Sequence, residues 1–162
     1  MDHSFLLEPA IWKIDGYCIK PNSVPIGIEG SIQVSWKDRN WFKMFMDIKS
    51  KEIPEMVISC RYRGNLVREE KQYSYVAQHY LLGNIEGEGK LGFKSIIQHH
   101  WSIGNNAIAF SSTFPGNSQL RTTQKRRGFE TFYLLNENTY FYTSSILESH
   151  NFNNIIEATI YR

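Results

Sequence analysis

Ile26-Gly27-Ile28-Glu29-Gly30-Ser31-Ile32-Gln33-Val34-Ser35-Trp36 alternates in hydropathy along its whole length. Ile26, Ile28, Ile32, Val34 and Trp36 share one parity; Glu29, Ser31, Gln33 and Ser35 share the other. Successive side chains of a strand point to opposite faces, so this segment has one dry and one wet face. A strand of that kind belongs to an antiparallel sheet packed on one side only.

The same period recurs on both sides of it. Residues 10–20 place Trp12, Ile14, Gly16 and Cys18 on one parity, and 41–49 do so with Phe42, Met44, Met46 and Ile48. Residues 55–63 carry Met56, Ile58, Cys60 and Tyr62 together, followed by Arg63-Gly64-Asn65, which reads as a hairpin. Further strands are expected at 66–71 (or broken near Glu69-Glu70-Lys71), 72–82, 94–102, 107–114, 119–125 resuming at 129–135 after Arg127-Gly128, 139–147 and 152–162. Residues 1–9 read as a lead-in with one helical turn, stopped by Pro9, and the glycines of Glu86-Gly87-Glu88-Gly89 as a bulge or sharp bend. No amphipathic helix of normal length interrupts the series, so parallel crossovers are not expected. Closure removes the edge strands that an open sheet would expose. The expected fold is all-β, a single antiparallel up-and-down barrel of about eight to ten strands, occupying residues 1–162 as one domain.

A chain of 162 residues with a net charge of +2 carries no bulk basic field, which argues against nucleic acid or an anionic membrane as partner. Two cysteines, Cys18 and Cys60, define no disulfide framework and are expected to be reduced and buried. Phe5-Leu6-Leu7 is too short for a signal-peptide core, and no run approaches the ~20 apolar residues of a membrane helix. The protein is expected to be cytoplasmic and compatible with a homodimer.

Trp12 in the first strand, the up-and-down strand series and the basic Arg162 ending the last strand resemble the calycin superfamily of lipocalins and fatty-acid-binding proteins. Ala10-Ile11-Trp12 stands where lipocalins carry Gly-x-Trp, with Gly16 following. In lipocalins that Trp packs near a late basic residue and closes one barrel end. The stretches Trp101–Phe114, Thr139–Leu147 and Ile156–Arg162 are similar to the end of calycin-type phycobilin lyases, which implies a barrel able to hold an open-chain tetrapyrrole and deliver it to a cysteine of a partner protein.

Aromatic residues make up 14% of the chain. Core packing is their ordinary role. Inward parity makes Trp12, Trp36, Met44, Met46, Tyr62, Phe110, Phe114 and Tyr142 candidate lining of a lumen, since a barrel of this class either packs solid or holds one small ligand. Arg61 or Arg127 would orient the ligand at the mouth; the basic run Arg121, Lys125, Arg126, Arg127 is otherwise a solvated hairpin. His99 and His100, being adjacent on a strand, face opposite sides, and no zinc-type spacing occurs. His79 with either His99 or His100 could offer a ring nitrogen to haem iron, the ordinary alternative being a partly exposed strand histidine. Glu86 and Glu88 share a parity and are expected to face water. No nucleophile elbow or phosphate loop is present. The reading is therefore a lipocalin-like barrel that binds a small, largely apolar ligand of fatty-acid or tetrapyrrole type, without catalysis. A bilin lyase or chaperone is the first alternative and a solid-core interaction module the second. The sequence identifies no cofactor.

Overall fold

The computed structural model describes residues 3–102, 126–148 and 151–162. It is all-β, with strands β1 (Ala10–Ile19), β2 (Ile26–Trp36), β3 (Trp41–Ser50), β4 (Val57–Val67), β5 (Gln72–His79), β6 (Gly83–Leu91), β7 (Ser95–Ser102), β8 (Arg126–Asn136), β9 (Thr139–Glu148) and β10 (Asn151–Tyr161). Each strand pairs with its sequence neighbour, and β1 pairs with β10, so the sheet closes into one up-and-down barrel. This is the expected all-β, antiparallel up-and-down barrel, at the upper end of the expected strand number. The hydropathy parity holds: Ile28, Ile32 and Val34 of β2 are buried, and Glu29, Gln33 and Ser35 between them are less so or exposed. The expected strands at 107–114 and 119–125 lie outside the described residues.

Three expected breaks are absent, for one physical reason. Gly64 continues β4 where a hairpin is expected; the chain turns instead at Arg68–Lys71, with Lys71 at φ 53°. Gly87 and Gly89 lie inside an unbroken β6, and Gly128 inside β8, with no register shift at any of them. Each of these glycines faces inward and stands directly across the ladder from a large ring: Gly64 from Phe42, Gly87 from Tyr75, Gly89 from Tyr73 and Gly128 from His100. A Cβ on any of the four would overlap the ring opposite. The glycines are seats that let the rings lie against the opposite strand. Gly89→Ala is expected to cost about 1–3 kcal/mol in a urea unfolding titration. Combining it with Tyr73→Leu should cost less than the sum of the two single changes, because both act on one contact.

The N-terminal segment plugs one end of the barrel. Phe5 stacks on Phe132 at 4.6 Å between ring centroids and meets Trp12 and Tyr140 at 5.5 Å. The Tyr140 hydroxyl accepts from the Ser4 and Phe5 amides at 3.1 and 3.2 Å. His3 Nε2 lies 2.8 Å from the Gly92 carbonyl and must donate to it, which leaves His3 Nδ1 to accept from the Tyr140 hydroxyl at 3.2 Å. The expected helical turn is a single one, closed by Glu8 N donating to Ser4 O. Leu6 takes φ 71°, uncommon for a bulky residue, and is held there by burial and by Trp36 Nε1 donating to its carbonyl at 2.9 Å. At the same end the Arg162 guanidinium sits 4.8 Å over the Trp12 ring, the Trp-to-late-basic contact that the resemblance implies.

Candidate functional site

The plug divides the barrel into two unlike halves. Around it the interior is apolar and aromatic: Phe5, Leu6, Trp12, Phe132, Leu134. Away from it, inward positions are smaller and more polar: Cys18, Cys60, Ala77, His79, His100, Ser144 and Asn154.

A buried polar network lies between the halves. Glu130 of β8, only 2% exposed, takes the inward parity of Phe132 and Leu134. Its carboxylate accepts from Tyr142 at 2.5 Å, from Tyr62 at 3.2 Å and from the Gln98 amide. Gln98 in turn accepts from Tyr73 at 2.7 Å. His100 Nδ1 stands 3.1 Å from the Tyr75 hydroxyl and 3.9 Å from Glu130 Oε2. Its Nε2 is buried with no protein partner among the described residues. The His79 ring lies 5.4 Å from that of His100. His79 Nδ1 accepts from the Leu81 and Leu82 amides at 3.1 and 3.2 Å, which fixes the neutral ring with its proton on Nε2.

Burial governs the titration of these groups. It pushes Tyr62, Tyr73, Tyr75 and Tyr142 upward, with Glu130 adding to the effect, so each hydroxyl stays a donor. Burial drives His79 down to about 3, with His100 adding. It also lowers His100, against the opposing pull of Glu130, so the His100–Glu130 contact joins a neutral ring to a carboxyl group and is not an ion pair. The Cys60 thiol is pushed up to about 12, first by burial and then by Glu130, and is inert as a nucleophile.

Tyr62 and Tyr142 meet on Glu130, and Met44 and Met46 are buried in the interior near them in register. Trp12 and Trp36 belong to the plugged end; Trp36 is half-buried, with the Arg68 guanidinium 5.0 Å over its ring. Arg61 is exposed on the outer wall, 5.0 Å over Phe45, and Arg127 is exposed near the start of β8. Phe110, Phe114, Arg121 and Lys125 lie outside the described residues. His99 faces outward and stacks on Phe129 at 4.5 Å, whereas His79 and His100 share the interior. Cys18 and Cys60 are free and buried, as expected. Among the described residues no group of three metal-ligating side chains converges, and no helix is long and apolar enough to cross a membrane. Sequence reading missed Glu130, Gln98, Tyr73 and Tyr75 as a unit. The usable signal was a carboxylate on the apolar parity Gly128-Glu130-Phe132-Leu134.

No family model matches the sequence, and no curated protein matches it either. Solved structures do. The chain is similar to Rv2717c from M. tuberculosis, with a TM-score of 0.67 and 11% identity over 99% of both chains. It is also similar to the S-type phycobiliprotein lyase CPES from Guillardia theta, with a TM-score of 0.60 and 10% identity over 96% of this chain and 88% of that one. At such identities the likeness is one of fold.

Proposed function

We propose that the protein binds one small, largely apolar ligand inside the barrel, in the half away from the plug and against the Glu130 network. One observation carries this reading. Side chains from β4, β7 and β9 donate to the single buried Glu130 carboxylate of β8, and the β5 tyrosines join the network through Gln98 and His100, beside the buried apolar Met44, Met46 and Ala77. Few, fixed polar groups in an apolar enclosure are the chemistry of a small-molecule site. Apolar burial, ~25 cal/mol per Å², would supply the affinity, and the hydroxyls and histidines the orientation. Met44 and Met46 add an adaptable wall. A fatty acid or a tetrapyrrole fits this description, and the ligand rather than any catalysed step is the function. The lyase-like barrel shape makes a bilin one of the probes to use. Visible absorbance on mixing, followed by transfer to an acceptor cysteine, would mark delivery rather than storage.

The test is a titration of intrinsic tryptophan fluorescence with oleate and with biliverdin. Saturable quenching is expected for at least one. Ala77→Leu, which adds bulk on the lumen wall, should weaken it by roughly tenfold or more while unfolding stays cooperative. Absence of quenching by either probe, or quenching unchanged by Ala77→Leu, would remove the support for this reading.

A further inference from the structure

We propose that the outer wall of the barrel carries a separate binding site, for a phosphate-bearing small molecule, in the groove across β2–β6 where Lys43, Arg61 and Arg63 converge. The groove has a volume of about 690 Å³; outward residues of these strands form most of its lining, with the buried Met44, Tyr62, Ala77 and Ile85 beneath them. That volume is the size of a small-molecule site. Lys43 and Arg63 are direct partners in the β3–β4 ladder, and Arg61 lies two residues along the same face, about 7 Å away. Like charges placed directly opposite each other disfavour the strand pair. Among the described residues no ion pair relieves them. Among the described residues the lysine and arginine ion pairs are Lys51–Asp15, Arg126–Glu148 and Arg162–Glu8, none of which involves the groove. The nearest acids by register are Asp47, two residues beyond Phe45, and Glu86, opposite Val76. Glu86 already accepts from Trp101 Nε1 at 3.1 Å.

The floor is as informative as the charge. The Arg61 guanidinium lies over the Phe45 ring, 5.0 Å from its centroid, so one guanidinium is held on an apolar surface. Val76, opposite Arg63, is exposed and extends that surface. Gln78, opposite Arg61, adds a neutral donor. Two arginines offer planar forks and the lysine a point charge, a donor set that suits a tetrahedral dianion better than a single carboxylate. The apolar part of the molecule would rest on Phe45 and Val76.

Isothermal titration calorimetry of the full chain at low salt tests this, with phenyl phosphate, inorganic phosphate and citrate as probes. The expected result is saturable binding of phenyl phosphate, tighter than inorganic phosphate and citrate. K43Q/R63Q should weaken it by roughly tenfold or more, without lowering the thermal midpoint of the free protein. Arg61→Lys, which keeps the charge and loses the planar fork, should weaken it severalfold. Titrations of the interior with oleate or biliverdin should be unchanged by these outer-wall variants, so the two sites succeed or fail separately. No saturable binding of phenyl phosphate, binding indifferent to K43Q/R63Q, or citrate bound as tightly would each overturn the proposal.

Discussion

Glu130→Ala is expected to remove about 3–5 kcal/mol of stability, measured as the shift in a urea unfolding curve. The carboxylate accepts from Tyr62, Tyr142 and Gln98, all buried at 3% exposure or less. Alanine leaves those donors in a dry interior with no acceptor, and a cavity besides. Glu130→Gln keeps one acceptor oxygen but turns an NH₂ toward hydroxyls that are already donating. Its cost should be smaller, about 1–3 kcal/mol. The decisive variant removes both sides: Glu130→Leu with Tyr62→Phe and Tyr142→Phe should recover part of the loss, because apolar replacement of a whole network costs less than orphaning half of it. A cost for Glu130→Ala within about 1 kcal/mol, the scale of one ordinary hydrogen bond, would show that the carboxylate is not held as described.

Mild acid should destabilise the protein. In the unfolded chain His79 takes up a proton near the ordinary imidazole value of 6.5; in the barrel burial holds it at about 3. Between those values the unfolded state binds more protons, so stability falls as pH falls. The contribution is complete above pH 6.5 and is lost through the window down to 3, at about 1.4 kcal/mol per pH unit. His79 alone therefore removes about 2 kcal/mol between pH 7 and pH 5. His100, also lowered by burial, steepens the slope in the same direction. Urea midpoints at pH 7.5, 6.5, 5.5 and 5.0 measure it, and His79→Gln should flatten the dependence over that range. A wild-type midpoint constant from pH 7.5 to 5.0 would mean that these rings are open to protons in the folded state.

The architecture was legible because parity survives folding. Trp12, Ile14 and Cys18 of β1, and Ile28, Ile32 and Val34 of β2, are inward as their spacing predicts. What misled was glycine. Gly64 and Gly128 carry the same letter whether they turn a chain or seat a ring, and the deciding information, Phe42 and His100, lies on another strand. The site was legible in part for a similar reason. Tyr62, Tyr142 and Met44 follow from apolar parity alone, whereas Glu130 and Gln98 break that parity and look like surface residues until the ladder places Tyr62, Tyr73 and Tyr142 around them. Arg61 illustrates the converse: its type suits an anionic head group, but its parity faces the outer wall.

The account rests on the half of the barrel away from the plug holding a guest. Native mass spectrometry of the protein, purified without detergent and then incubated with oleate or biliverdin, tests that most directly. It predicts a one-to-one complex with at least one of the two, or a guest already carried from the cell, and its loss in Ala77→Leu. Protein at its bare mass under every condition, wild type and variant alike, would contradict it.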